Sequence, residues 1–106
     1  MQIDVSGHHV EVTDAIRESV HSKLLKVSSH YPDLISMDAI LTVEKQEQKI
    51  EVSTQYLGDR VSVHASNTDM YAAIADAAKK LDSALGHRKG TVKGARMRKP
   101  DISASA

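Results

Sequence analysis

Residues 2–6, "QIDVS", alternate: Ile3 and Val5 fall on one side and Gln2, Asp4 and Ser6 on the other, the period of a strand with one buried face. Gly7 ends that run. From Thr13 the period changes, and Ile16, Val20, Leu24, Val27 and Tyr31 recur every three or four residues. This predicts an amphipathic helix with Thr13 as N-cap and Asp14 in its first turn, ending near Tyr31 because Pro32 cannot continue it. Alternation returns three times, in Met37/Ala39/Leu41/Val43, in Ile50/Val52/Thr54/Tyr56 and in Val61/Val63/Ala65, with "YLGDRV" between the last two as a hairpin turn. A second helical stripe follows in Met70, Ile74, Ala77, Ala78, Leu81 and Leu85. A Ser66-x-x-Asp69 capping box opens it and Gly86 is its expected C-terminal stop.

The predicted order is therefore β-α-β-β-β-α with no internal repeat. Each helix has one apolar stripe and the sheet one apolar face, and all three are satisfied when both helices cover the same side. The expected fold is α+β, a four-stranded sheet with two helices packed on one face. Its open side should carry Gln2, Asp4, Asp38, Thr42, Glu44, Lys49, Glu51, Ser53, Gln55, Arg60, Ser62 and His64, a net acidic surface. At about 100° per residue, Lys23 and Lys26 fall on one flank of the first stripe, Arg17 on the other, Lys80 beside the second stripe and Lys79 outward.

Charge changes the picture. The 106 residues have zero formal net charge, yet residues 1–86 hold eight Lys/Arg against thirteen Asp/Glu, while residues 87–100, "HRKGTVKGARMRKP", hold six Lys/Arg and no acid. The length suits one compact domain at 1–89, followed by a basic, flexible tail at 90–106. Neutrality overall argues against simple coating of nucleic acid, whereas the clustered end supplies a local footprint for phosphate. The chain has no Cys, which excludes disulfide and thiolate chemistry and fits a reducing compartment. It has neither a secretory leader pattern nor an eighteen-residue apolar run, so a soluble, cytoplasmic protein without a membrane partner is expected.

Catalytic chemistry finds little support. The six histidines are adjacent in a loop (His8, His9) or scattered (His21, His30, His64, His87), and no pair has the i, i+4 spacing of a helical zinc motif. "GHRKGTVKGA" lacks the strand, the following helix and the Lys-Ser/Thr pair of a phosphate-binding loop, and no serine sits on a nucleophile elbow. Neither a cofactor nor an enzymatic activity is expected. Any one lysine on a helix is an ordinary solvated side chain. Taken as a set, Arg17, Lys23, Lys26, Lys79, Lys80, Arg88, Lys89, Lys93, Arg96, Arg98 and Lys99 read as a surface that tracks a phosphate backbone. There is no Phe or Trp, and the core pattern claims each of Tyr31, Tyr56 and Tyr71, which disfavours stacking of bases on the sheet. Recognition of shape, phosphate and sugar from the helical side is what remains.

"GHHVEVTDAIRESVHSKLLKV" followed by "VHASNTDMYAAIADAAKKL" resembles the short ribosome hibernation promoting factors of bacteria, a family that includes the ribosome-associated inhibitor protein Y. "DMYAAI", Asp69 to Ile74, is the most specific piece, and the resemblance covers about residues 1–89. It implies a non-enzymatic stress or stationary-phase factor that binds the small ribosomal subunit between head and body, where messenger RNA and transfer RNA pass, and blocks translation. Short members also favour inactive ribosome dimers, acting with a separate ribosome modulation factor, whereas protein Y keeps ribosomes as single particles. The resemblance further implies that Arg17, Lys23, Lys26, Lys80 and Lys89 contact ribosomal RNA phosphates, in a protein that is monomeric when free. Ser83 stands where the family pattern suggests another base, and the end lacks the acidic tail of protein Y. The chain is also too short for the extra dimerisation domain of the long-form factors. Rival readings are a general double-stranded RNA-binding module, an adaptor using the acidic sheet face and, last, a nuclease.

Overall fold

The computed structural model describes residues 1–97, with side chains as far as residue 90. Its elements are β1 (Gln2–His8), α1 (Asp14–Ser28), β2 (Ser36–Glu44), β3 (Glu47–Tyr56), β4 (Asp59–Asn67) and α2 (Met70–Met97). The strands lie in the order β1-β2-β3-β4, with β1 parallel to β2 and the other pairs antiparallel. Registers Ile3↔Met37, Met37↔Thr54 and Thr54↔Val61 align the alternating apolar positions on one face. That face and both helices share a single core in which Val20, Met37, Leu41, Val52, Leu81 and Leu85 are fully buried. The α+β arrangement expected from periodicity is the one found, with both helices on the same side of the sheet.

Local chemistry sets the ends of the elements. Thr13 caps α1, its Oγ1 accepting from the Ile16 amide at 3.2 Å. The helix stops at Ser28, three residues before the expected Tyr31, where the Ser28 and Ser29 hydroxyls donate back to the carbonyls of Leu25 and Lys26 at 2.8 and 2.7 Å. Between β3 and β4 the chain reverses at Leu57 (φ 52°) and Gly58 (φ 81°), the pair of left-handed residues that matches strand twist in a two-residue hairpin. β4 runs on through Asn67, so Ser66 is paired with Lys49 in the sheet and the expected capping box does not form. Asp69 caps α2 instead, its Oδ1 accepting from the Tyr71 amide at 3.0 Å.

Gly86 does not end α2, which continues to Met97. The glycine serves a close approach: a Cβ there would lie 3.1 Å from the Tyr31 hydroxyl, which donates to the Asp82 carbonyl at 3.0 Å. The Tyr31 ring stands edge-on to Tyr56, 5.5 Å between centroids, and burial pushes both phenols above their ordinary ionisation range. Gly86→Ala alone should change stability little, since about 1 kcal/mol of helix propensity is offset by displacing a hydrogen bond of about the same size. In a Tyr31→Phe background the same change should stabilise by about 1 kcal/mol. Denaturant unfolding of the four proteins measures the difference, and equal effects in both backgrounds would remove Tyr31 from the explanation.

The anticipated boundary between residues 89 and 90 falls inside α2, since residues 90–97 continue the helix. Residues 98–106, the last part of the expected tail, lie outside the described residues. The open sheet face carries the polar set anticipated for it, with two differences. Ser53 is buried because the Arg60 guanidinium lies across it, 3.3 Å from its Oγ, and Ile40 stands on this face 43 % exposed. None of the described helices is long and apolar enough to cross a membrane.

Candidate nucleic-acid interface

Burying Val20, Leu24 and Val27 turns Lys23 and Lys26 onto the flank of α1 that faces α2, with His30 just beyond the helix end. On α2 the buried stripe through Ile74, Ala77, Leu81 and Leu85 leaves Ala75, Lys79 and Asp82 on the flank that faces α1. Because Ala75 and Ala78 are small, the floor between the helices is low, and a groove of about 240 Å³ opens there, rimmed by Lys23, Lys26 and Lys79. Lys79 therefore turns into the groove rather than outward as the helical wheel suggested. Asp82 is the acid at this groove, and it sits 3.5 Å from His30 Nδ1.

The three groove lysines are exposed and have no carboxylate partner among the described residues. Lys49 on the open sheet face is the contrast. Its ammonium is 2.6 Å from Glu44 and 3.7 Å from Glu47, and the hydrogen bond to Lys49 holds the Glu44 carboxyl below its usual range. The charge of Lys49 is thus neutralised locally, while that of the groove lysines is left free to act on an approaching anion. Three mobile ammoniums around a shallow, apolar-floored groove can follow a chain of phosphates but cannot by themselves perform chemistry on one. Among the described residues no three His, Asp or Glu side chains gather as a metal-holding group.

The remaining sequence candidates are distributed around this centre. Arg17 is exposed on the flank of α1 away from α2. Lys80 reaches over the β4 edge, its Nζ donating to the His64 carbonyl at 2.9 Å. Lys89 stands 5.8 Å from the centre of the Tyr31 ring, a cation–π arrangement that extends the groove side of α2 by another turn. Arg88 is engaged within the fold: Nη2 donates to the Leu57 carbonyl at 2.7 Å and Nη1 lies 3.9 Å from Asp59, which ties α2 to the β3–β4 turn. Lys93 and Arg96 lie on the last turns of α2, and Arg98 and Lys99 are outside the described residues. Ser83, noted as a missing base, is exposed on α2 but is not part of the groove.

Arg88→Ala should therefore cost about 1.5–3 kcal/mol of stability, the usual worth of a charged hydrogen bond. It should leave the salt dependence of nucleic-acid binding unchanged. Thermal unfolding together with a salt titration separates the two effects, and a lost unit of salt slope would return Arg88 to the phosphate-contacting set.

Tyr71 was assigned to the core by pattern, but the structure leaves it 48 % exposed, whereas Tyr31 and Tyr56 are 8 % and 3 % exposed. It follows the buried Met70 by one residue, and that 100° rotation carries the ring out of the stripe to the side of α2 bearing Ala75 and Lys79. The wheel angle was readable in the sequence; a general preference for burying tyrosine obscured it.

The fold has counterparts. A family model described as sigma 54 modulation protein / S30EA ribosomal protein matches residues 3–93. The chain is 44% identical over 89 residues to the ribosome hibernation promoting factor of Pseudomonas putida, covering 84% of this chain and 87% of that one. It is 31% identical over 93 residues to the factor of the same name from Escherichia coli K12, covering 88% and 98%. Among solved structures, the N-terminal domain of Thermus thermophilus protein Y superposes with a TM-score of 0.75 at 29% identity, over 83% of this chain and 99% of that one. A ribosomal subunit interface protein from Coxiella burnetii shares the fold, with a TM-score of 0.80 at 22% identity over 85% of this chain and 99% of that one.

Proposed function

The chain belongs to the sigma 54 modulation protein / S30EA ribosomal protein family, and on that premise we propose that it is a ribosome hibernation factor, an inhibitor that acts by binding and not by catalysis. The reading goes further in three respects. The protein occupies the channel of the small ribosomal subunit between head and body, excludes messenger RNA and transfer RNA there, and does so in the cytoplasm under stress or in stationary phase. It favours inactive ribosome dimers together with a separate ribosome modulation factor. Its contacts are with ribosomal RNA phosphates.

The observation that carries this reading is the groove between α1 and α2, where Lys23, Lys26 and Lys79 converge without carboxylate partners among the described residues, on the side opposite the acidic sheet face. Ribosomal RNA offers phosphates at the spacing of a folded backbone, and a rim of lysines binds them as point charges without demanding a base sequence. The acidic face meanwhile repels RNA, so the molecule has one side by which to dock. Lys89, over the Tyr31 ring, prolongs the basic side of α2 beyond the groove.

Sedimentation of ribosomes mixed with the purified protein, with and without the modulation factor, tests this. Travel with small subunits and intact ribosomes, together with a dimer peak, supports the whole reading. Travel without dimers keeps ribosome binding and replaces dimer promotion with the single-particle role. A protein that stays at the top of the gradient in low salt is not a ribosome factor. Excess duplex RNA that strips the protein from ribosomes would favour a general double-stranded RNA module.

A further inference from the structure

Beyond the residues that line the groove, the same flank of α2 carries an exposed aromatic ring one turn before Ala75. Tyr71, Ala75, Lys79 and Asp82 succeed one another along one flank of the helix, and Tyr71 is 48 % exposed while the other two tyrosines are buried. The Tyr71 backbone is fixed by the Asp69 cap, so the ring is carried on a rigid helical turn and not on a loop. Ala75, one turn along, is too small to cover the ring. Eight residues separate Tyr71 from Lys79, about 12 Å along the axis. That is the rise of three or four stacked nucleotides at about 3.4 Å each.

We propose that Tyr71 is a stacking platform for an unpaired nucleobase of the RNA whose phosphates lie on Lys23, Lys26 and Lys79. This rests on the reading of the groove as an RNA interface and deepens it. The ligand becomes a strand with at least one base turned out, in place of a uniform duplex recognised by shape. Stacking on the sheet was disfavoured partly because the core pattern claimed Tyr71, and its exposure on α2 removes that part of the ground. An aromatic face accepts any of the four bases, so the platform adds affinity for single-stranded or looped RNA without imposing a sequence.

Two measurements decide it. Affinity for purified small ribosomal subunits is compared across salt for the wild type, Tyr71→Phe, Tyr71→Leu and Tyr71→Ala, with melting curves to confirm that all four are folded. Stacking on one base predicts roughly 5- to 100-fold weaker binding for Tyr71→Ala and Tyr71→Leu, near-complete retention in Tyr71→Phe, and one common salt slope. Wild-type affinity in Tyr71→Leu would reduce the ring to apolar packing and overturn the proposal, while binding that still weakens in a Lys23→Gln/Lys26→Gln/Lys79→Gln variant would leave the groove reading standing. The second measurement uses the absence of tryptophan: the tyrosine emission lost in Tyr71→Phe is the Tyr71 signal. An unstructured oligoadenylate should quench it and a duplex of equal length should not. If the wild type fails to bind subunits, the ribosomal reading fails and this quenching alone decides whether Tyr71 stacks on bases; equal quenching by duplex, or none by either, rules stacking out.

Discussion

Replacing Lys23, Lys26 and Lys79 together by Gln is expected to weaken binding to the small ribosomal subunit about 100-fold at near-physiological salt and to lower the log–log salt slope by about 2–3 units. The slope is the more informative quantity. Each neutralised phosphate releases condensed counterions and contributes about 0.7–0.9 to it, so three contacts must appear as that many lost units whatever else the variant does. The three side chains are exposed and rim the groove without carboxylate partners among the described residues, so their replacement leaves no orphaned charge in the core. Stability should move by no more than about 0.5 kcal/mol. The comparison variant is Lys49→Gln. Lys49 is held by Glu44 and Glu47 on the open sheet face, and its loss should leave both affinity and slope unchanged. An unchanged slope in the triple variant would mean that RNA does not follow this groove.

Leu81→Ala is expected to cost about 2–5 kcal/mol, the range for emptying a well-packed core position. Leu81 is fully buried on α2, in the same core as Leu24 of α1 and Val52 and Ile50 of β3. For a domain of this size stability is about 5–15 kcal/mol in total, so the variant gives up a large share, and its melting temperature should fall by about 10 °C or more. The loss also has a functional side. The groove is set by the separation of α1 and α2, and both helices rest on this layer, so partial collapse into the cavity would bring the lysine rims closer together. Ribosome affinity should drop at temperatures where the protein is still folded, with the salt slope preserved because the charges remain. A shift of only a degree or two would show that α2 does not pack on the sheet as described.

Which parts of this were legible in sequence follows from how local each cause is. The strands were readable because one buried face imposes a period of two, and that alternation survives in both Met37 to Val43 and Ile50 to Tyr56 despite Ile40 and Ser53 on the open face. Thr13 and the Leu57-Gly58 reversal were readable because caps and tight turns are decided within a few residues. Gly86 was not. Its purpose is to admit Tyr31, 55 positions earlier in the chain, and nothing adjacent to it distinguishes that role from a helix stop. Ser66 failed as a cap because β4 extends through it, a sheet pairing that its neighbours do not announce. At the candidate site, the flank shared by Lys23 and Lys26 was readable from one helix alone. The approach of Lys79 to that flank needs the packing of two helices, as does the loss of Arg88 to the Leu57 carbonyl.

The two walls of the groove are far apart in the described chain, with three of the four strands, β2, β3 and β4, between them. Pairing of β2, β3 and β4 is local and closes through short turns, whereas β1 reaches β2 only across α1, and α2 docks only after β4 exists. Short-range closure costs less entropy and proceeds sooner. During synthesis, therefore, the lysines of α1 are made more than fifty residues before Lys79. A nascent chain has no groove to offer the RNA of the particle producing it. On the proposed reading, a protein that silences ribosomes completes its RNA-binding groove only once its own translation has passed β4 and α2.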